Sequence, residues 1–230
     1  MLIAEEILVI CLNDSSGKRP IGRGQLMPAL AGALVAELAL LGRITLTPDS
    51  VGLLRRRRVV LHDATLTGDA LLDQTLTTIA EKPDQKINSL IHAMSTGREG
   101  TRLYRQLVDR LVSAGTITEP DPKAFGRRSA RRSATTGGGP EQPIRRRVQR
   151  AVSERDDPDW RTLVLIMLLH ASGALLHLLV HPELDRRLLN KRARDLVRAG
   201  AHRIHVPLVR RVHAAVSRAV TRARTSTDEA

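Results

Sequence analysis

The segment from Leu66 to Leu76 reads L-T-G-D-A-L-L-D-Q-T-L and predicts the start of a buried helix. Thr67 and Asp69 are both natural N-cap or first-turn residues, because a side-chain oxygen can accept hydrogen bonds from the first free amides of a helix. Leu72, Leu76 and Ile79 then recur at helical spacing and mark one apolar face. We therefore expect a well-capped amphipathic helix to begin at this point.

Three further segments accompany this helix start in a fixed order along the chain. They read A-E-E-I-L from Ala4 to Leu8, E-L-A-L-L-G-R-I from Glu37 to Ile44, and L-V-L-I-M-L-L-H-A-S from Leu163 to Ser172. The set of four resembles the Golgi phosphoprotein 3 family, and the resemblance runs from about residue 2 to about residue 198. It implies the family fold. It also implies binding of phosphatidylinositol 4-phosphate at membranes, and contact with the cytosolic tails of membrane proteins.

The composition favours one globular domain with an anionic partner. The chain has 230 residues, of which 42% are hydrophobic and 1% aromatic, so Leu, Val, Ile and Ala must fill the core. Its net charge of +13 suits lipid headgroups, nucleic acid or an acidic protein. A single cysteine, Cys11, excludes an internal disulfide, and Glu5 and Glu6 replace the basic residues of a signal peptide. We expect a cytoplasmic protein that associates peripherally with a membrane.

The spacing of apolar residues predicts a mainly α-helical, compact domain over residues 1–224, with a polar tail at 225–230. Short β-like runs at Ile44 to Leu46, Val51 to Leu54 and Val59 to Leu61 predict a small β meander within it.

The segment from Trp160 to Val180 is apolar nearly all round and predicts the central helix of the domain. Its length would also permit a membrane span, but His170, Gly173 and His177 favour a buried helix. On one continuous helix, His170, His177 and His181 would share a face and could hold a metal. Because no carboxylate or cysteine accompanies them at matching spacing, we expect core or interface histidines and no metal or organic cofactor.

A strongly basic stretch follows the first half of the chain. Residues 120–143 lack apolar periodicity and predict a flexible loop, and residues 120–150 carry a net charge of +7. The family has a hairpin here that dips into the membrane with apolar residues. Because arginine replaces most of them, we expect mainly electrostatic contact. The alternative is a solvated loop without a ligand. The predicted membrane contacts are Phe125, Arg127, Arg128, Arg131 and Arg132.

The family's headgroup pocket is not matched residue by residue. Its Trp and Arg positions fall by spacing on Gly22 and Ala31, and its arginine pair falls on Thr101 and Tyr104. Neighbouring arginines could form a shifted pocket, because guanidinium groups make bidentate contacts with phosphate. The alternative is that these arginines are simply exposed. The candidate headgroup residues are Arg19, Arg23, Arg102 and Arg105.

No catalytic signature is present in the sequence, which favours a binding protein over an enzyme. Two functions compete. The first is a peripheral membrane adaptor that binds phosphatidylinositol 4-phosphate. The second is a nucleic-acid-binding protein, because Gly100 to Ile117 followed by a basic loop has the outline of a winged helix and its wing. The low aromatic content argues against stacking on single strands, which leaves the duplex backbone as the nucleic-acid target.

Overall fold

The computed structural model describes residues 1–12, 21–48, 57–117, 139–153, 157–179, 185–203 and 207–228. These residues form ten helices and three short strands, which confirms the predicted mainly α-helical fold. The helices are α1 (Ile3–Leu12), α2 (Arg23–Leu40), α3 (Ala70–Glu81), α4 (Ile87–Ser95), α5 (Gly97–Ser113), α6 (Glu141–Ser153), α7 (Trp160–Ser172), α8 (Leu175–Leu178), α9 (Arg186–Arg203) and α10 (Pro207–Asp228). The strands are β1 (Ile44–Leu46), β2 (Arg58–Leu61) and β3 (Gln85–Lys86).

Two helices share the centre of the core. Every residue of α2 from Leu26 to Ala39 is buried, and this helix packs against α1, α4, α7 and α10. Helix α7 is buried from Thr162 to Leu169 and packs against α2, α9 and α10. The central apolar helix predicted from the sequence is therefore present, but α2 is as deeply buried as α7.

The predicted helix from Trp160 to Val180 ends earlier than expected. Gly173 has a φ of +81°, and its amide donates to the carbonyl of His170 at 3.0 Å, which closes α7. His177 lies on the separate helix α8, and His181 is outside the described residues. The prediction that three histidines share one helix face was therefore wrong, because it assumed an unbroken helix.

Other helix boundaries also differ from the sequence-based prediction. The sequence places Pro28 in the first turn of a helix, but α2 begins at Arg23 and Pro28 lies inside it. The sequence also predicts that Gly200 ends a helix, but α9 continues to Arg203, and the glycine gives room to the side chain of Leu163. The sequence also predicts a helix that begins at Glu141, and α6 does begin there. Helix α10 extends into the predicted polar tail.

The sheet is antiparallel, in the order β1-β2-β3. Ile44 pairs with Leu61, and Val59 pairs with Gln85. The predicted run at residues 51–54 lies outside the described residues. The two-residue strand β3 was not predicted, because Gln85 and Lys86 have no apolar alternation and pair only through their backbone with β2.

Glycines on α2 allow α10 to approach closely. A Cβ atom at Gly32 would lie 2.6 Å from Cγ2 of Val216 and 3.2 Å from Cγ1 of Val212. A Cβ atom at Gly24, two turns earlier, would lie 2.9 Å from Cβ of Ala223. These separations leave no space for side chains at the two positions, so the small residues fix the distance between the two helices.

Replacing Gly32 with Val should destabilise the domain, because the larger side chain must push α10 away from α2. Overpacking of this kind costs about 1–3 kcal/mol, which corresponds to a melting temperature lower by several degrees. Gly22→Ala is the matched control, since the nearest atom to an added Cβ there is 3.8 Å away. Equal melting temperatures for Gly32→Val and the control would contradict the packing argument.

Candidate functional site

An arginine-lined concavity runs along the exposed face of α5. Its lining includes Arg98, Arg102 and Arg105, and its volume is about 640 Å³. Residues three and four apart lie on the same side of a helix, so these guanidinium groups occupy successive turns. The structure thus brings together the predicted residues Arg102 and Arg105. It adds Arg98, whose helical spacing to both was visible in the sequence but was missed. We call this surface the arginine face.

The N-terminus of α2 meets the arginine face. Nη2 of Arg23 donates to Oγ1 of Thr101 at 2.9 Å, and this hydroxyl donates in turn to the carbonyl of Gly97 at 3.0 Å. Arg23 is therefore placed next to α5, as a shifted pocket requires. The fourth predicted headgroup residue, Arg19, lies outside the described residues.

The four positions carried over from the family separate into two pairs. Gly22 precedes Arg23, and Thr101 is the hydrogen-bond partner of Arg23, so these two positions are neighbours in space. Ala31 and Tyr104 are buried, with 0% and 8% of their surfaces exposed. Only Gly22 and Thr101 therefore lie where the expected pocket could form. The guanidinium group at that place belongs to Arg23, because position 101 is a threonine.

Arg102 is already engaged in the unliganded protein. Its Nη2 lies 2.8 Å from Oε2 of Glu99, one turn earlier on α5. In the amide orientation that satisfies its neighbours, Gln74 places its oxygen 3.0 Å from Nη2 and 3.2 Å from Nη1 of Arg102. Within the described part of the chain, the exposed side chains of Arg98 and Arg105 have no such partners. The arginine face therefore combines one engaged guanidinium with two that are available to an anion.

A second cavity of about 320 Å³ adjoins the arginine face between α3, α4 and α5. Glu99, Arg102 and Gln106 line both cavities. The walls of the second cavity mix apolar groups such as Leu90 and Met94 with polar ones. Arg102 thus stands at the boundary between a basic surface and a mixed groove.

The predicted membrane contacts Phe125, Arg127, Arg128, Arg131 and Arg132 lie outside the described residues. They remain predictions. The C-terminal part of the basic stretch forms α6, where Arg147 pairs with the buried Glu6. Arg147 therefore contributes to the fold through this ion pair.

Arg147 belongs to a buried ion network at the other end of α2. Glu5, Glu6 and Glu37 are buried, with 5%, 4% and 5% of their surfaces exposed. Arg161 of α7 lies 2.6 Å from Glu37 and 3.8 Å from Glu6. Glu37 also accepts a hydrogen bond from the amide of Ile3 at 2.9 Å. The network joins α1, α2, α6 and α7.

Arg110 extends the network to α3. Its Nε lies 2.8 Å from Oε1 of Glu5, and its two terminal nitrogens bind both carboxylate oxygens of Asp69 at 2.8 and 2.7 Å. Asp69 also accepts from the amides of Leu71 and Leu72, so Asp69, and not Thr67, is the N-cap of the two residues predicted. One aspartate thus caps a helix and anchors α5.

Burial raises the pKa of a carboxylate, and pairing with arginine lowers it. Burial raises the pKa of Glu6, although Arg147 and Arg161 act in the opposite sense. Burial would also raise the pKa of Asp69, but the hydrogen bonds from Arg110 and from the α3 amides outweigh it and hold that pKa below its usual value. Asp69 therefore keeps its charge, and its bond to Arg110, at mildly acidic pH.

The segments that suggested a family resemblance meet in this network, since Glu5, Glu37 and Asp69 each belong to one of them. A sequence model of the Golgi phosphoprotein 3 (GPP34) family matches residues 3–226. The chain belongs to the Golgi phosphoprotein 3 family. Vacuolar protein sorting-associated protein 74 of Eremothecium gossypii is similar to this family member, with 35% identity over 84 residues. That similarity covers 34% of this chain and only 24% of the Eremothecium protein.

The described residues include neither a membrane-spanning helix nor a cluster of metal-binding side chains. None of the helices there has the combination of length and hydrophobicity that crossing a bilayer requires. No group of three or more His, Cys, Asp and Glu side chains in the same ranges is arranged to hold a metal ion.

His170 of α7 stacks on His213 of α10, with ring centroids 6.0 Å apart. Nδ1 of His170 and Nε2 of His213 are buried, and neither has a hydrogen-bond partner within the described ranges. Burial, with a smaller contribution from His170, lowers the pKa of His213 to about 4. Burial and then Arg194 lower the pKa of His170. Both rings are therefore neutral in the folded protein at neutral pH.

The network predicts that Arg110→Met strongly destabilises the protein. The substitution leaves Glu5 buried without its arginine and removes the partner of Asp69, which should cost about 2–4 kcal/mol. Arg105→Met, on the exposed face of the same helix, is the matched control and should change stability by about 0.5 kcal/mol or less. Chemical denaturation of both variants measures the difference. Similar midpoints would show that Arg110 is dispensable.

The histidine pair predicts loss of stability in weak acid. In the unfolded chain the imidazole of His213 has its ordinary pKa of 6.5, whereas in the folded protein its pKa is about 4. The free energy of unfolding is therefore unaffected by this group above pH 6.5. It decreases as the pH falls from 6.5 towards 4, because only the unfolded chain binds the proton in that range. When the pH is lowered from 7.5 to 5, the free energy of unfolding of His213→Gln should decrease by about 1–2 kcal/mol less than that of the wild type. The exposed His92→Gln is the control for thermal melting, and parallel losses in all three proteins would refute the prediction.

Proposed function

We propose that this protein is a non-catalytic peripheral membrane adaptor that binds an anionic phospholipid headgroup, with phosphatidylinositol 4-phosphate as the ligand suggested by its family. The observation that carries the proposal is the hydrogen bond from Arg23 to Thr101. In this bond a guanidinium from α2 contacts the side chain of Thr101, which stands at a position where the resemblance expects an arginine.

The chemistry of the arginine face suits a phosphate group. Arginine presents planar, paired donors that match two phosphate oxygens, and such charge-assisted hydrogen bonds are stronger than neutral ones. Arg98 and Arg105 are exposed and available, and Arg23 closes one end. A headgroup phosphate bound there would contact several guanidinium groups at once, which favours it over a weakly held surface anion.

The basic stretch contributes attraction over a longer range. Each Lys or Arg near an anionic leaflet gains about 1 kcal/mol, and this gain is reduced by salt. Arg127, Arg128, Arg131 and Arg132 would adsorb to the surface, and Phe125 would enter the lipid interface. Directional contacts at the arginine face would supply selectivity, whereas the basic stretch would supply affinity for any anionic membrane.

The adaptor part of the proposal comes from the family and from the relative's name. The name of the Eremothecium protein associates it with vacuolar protein sorting. By analogy, this protein would work at a cytoplasmic membrane surface and would hold cytosolic tails of membrane proteins. Its partners are therefore an anionic lipid surface and such tails, and nucleic acid is the competing ligand.

Liposome flotation tests the proposal with two variants. One removes arginines of the arginine face, and the other removes arginines of the basic stretch. Arg102→Ala/Arg105→Ala should remove the preference for vesicles containing phosphatidylinositol 4-phosphate while leaving general adsorption to anionic lipid. Arg127, Arg128, Arg131 and Arg132 all changed to Ser should weaken binding to every anionic vesicle at low salt. Arg194→Ala/Arg198→Ala on α9 is the matched control, because it removes two exposed charges elsewhere.

Each part of the proposal can fail separately. If the α9 control loses as much selectivity as the α5 variant, the arginine face is not the headgroup site. If the wild type ignores anionic vesicles at both low and physiological salt but binds duplex DNA, the lipid function is wrong. The alternative of binding to a nucleic-acid backbone then takes its place.

A further inference from the structure

We infer that Thr101 is a phosphorylation site, and that its phosphate group would occupy the arginine face from within the chain and switch off the binding of external anions. The inference rests on the proposed function, because it assigns a regulatory modification to the same site. It commits to a chemical class, a phosphate monoester on a threonine hydroxyl that a protein kinase would place there.

The hydroxyl of Thr101 already lies against a guanidinium group. Its Oγ1 accepts a hydrogen bond from Nη2 of Arg23 at 2.9 Å, so a phosphate on this oxygen would begin beside an arginine of α2. Arg98 and Arg105 lie three residues before and four residues after Thr101, on the same side of α5, and line the same concavity. Three guanidinium groups would therefore be within reach of one phosphate, which offers three acceptor oxygens.

The charge of a phosphate suits this position in the helix. A phosphothreonine carries about −1.5 to −2 charges near neutral pH. Thr101 is close to the N-terminus of α5, where the helix dipole favours negative charge. Glu99, two residues earlier, is paired with Arg102 and leaves Arg98 and Arg105 to the phosphate. The modification would therefore gain several charge-assisted hydrogen bonds at once.

The step is a phosphoryl transfer from the magnesium complex of a nucleoside triphosphate. Oγ1 of Thr101 attacks the γ-phosphorus, and a new P–O bond forms. The bond from that phosphorus to the β–γ bridging oxygen breaks, so the nucleoside diphosphate leaves with the electron pair. The hydroxyl proton, which in the unmodified protein bonds to the carbonyl of Gly97, passes to the catalytic base of the kinase.

The first turn of α5 has a composition that favours access to the hydroxyl. Thr101 is partly exposed, and two of the four helical residues before it are Gly97 and Gly100. Glycine is a poor helix former, so this turn opens locally at less cost than the leucine-containing remainder of the helix. A kinase that recognises basic residues would also find Arg98 three positions before the acceptor.

The phosphate would act as an internal competitor of external anions. Because it is covalently attached beside its arginines, it meets them without the entropic cost of binding a separate ligand. A lipid phosphate would then encounter Arg23, Arg98 and Arg105 already paired, together with a repelling negative charge. Hydrolysis of the phosphate ester would restore the site. The unmodified protein is therefore the form that binds, and the modified protein is the form that does not.

Phosphorus NMR of the full-length protein, with phosphothreonine introduced at position 101 during synthesis, tests the internal contact. The second pKa of a phosphothreonine is ordinarily about 6. We expect it to lie about one pH unit lower at position 101, because the guanidinium groups favour the dianion. In the modified protein, Arg98→Ala/Arg105→Ala should bring this pKa back towards its ordinary value. An unchanged pKa would show that these arginines do not hold the phosphate.

Phosphothreonine at position 77 is the matched control for the same titration. Thr77 is exposed on α3, and its hydroxyl also donates to the carbonyl four residues earlier, at 3.0 Å, as that of Thr101 does. No arginine lies within four residues of Thr77 in the sequence. Equal pKa values at positions 101 and 77 would overturn the inference.

Flotation with vesicles that contain phosphatidylinositol 4-phosphate tests the switch. Phosphothreonine at position 101 should weaken binding about tenfold relative to phosphothreonine at position 77, which gives the same net charge. If both modified proteins bind these vesicles as well as the unmodified protein does, the proposed function stands and the inference fails. Equal weakening at both positions also overturns it, because only net charge would then matter. If no form binds vesicles but the pKa at position 101 is lowered, the internal phosphate contact stands and the proposed membrane function fails.

Treatment of the unmodified protein with MgATP and a protein kinase that recognises basic residues tests access to the hydroxyl. Thr221 of α10 is the control, because Arg218 lies three residues before it and its hydroxyl donates to the carbonyl of Ser217 at 3.0 Å. We expect mass spectrometry to find phosphate on Thr101. Phosphate on Thr221 and none on Thr101 would overturn the inference, because the acceptor on α5 would then be closed to a kinase.

Discussion

The fold depends on how three buried glutamates are neutralised. All residues of α1 are buried, so Glu5 and Glu6 cannot turn towards water, and Glu37 is equally enclosed within α2. A buried carboxylate without a partner is strongly destabilising. The arginine partners of the three glutamates come from α5, α6 and α7, each of which contributes one guanidinium group. Burying α1 in the core therefore requires these three helices to arrive in one arrangement, which hydrophobic contact alone would not specify.

This constraint explains why the resemblance to the family is clear for the fold and poor for the ligand. Three of the four recognisable segments contain a carboxylate of the network or its helix cap, namely Glu5, Glu37 and Asp69. Their spacing reports the internal ion pairs and not the lipid site. The headgroup positions lie elsewhere, near the N-termini of α2 and α5, and can change without disturbing the network. A shifted arginine such as Arg23 is compatible with the same core.

Sequence patterns predicted what is local and missed what is distant. Leucine spacing predicted most helices, and the capping candidates Thr67 and Asp69 predicted the start of α3, because both signals depend on residues within a few positions of each other. The ion pairs join residues far apart, with 105 positions between Arg110 and Glu5 and 124 between Arg161 and Glu37. No spacing rule could assign these arginines, so Arg147 was counted with a solvent-facing basic stretch. The helix end at Gly173 was missed because the apolar run continues beyond it.

Helix α5 shows how one element can serve both the fold and a ligand. Arg110, near its C-terminal end, is held by Glu5 and Asp69 and is committed to the interior. Arg98 and Arg105 are exposed and form no ion pair in the described structure. Arg102 is intermediate, since its partner Glu99 is itself exposed. The same side chain is thus structural, available or exchangeable according to the burial of its partner. Because Arg110 alone joins these arginines of α5 to the ion network, the exposed arginines of the same helix can change without loss of the core.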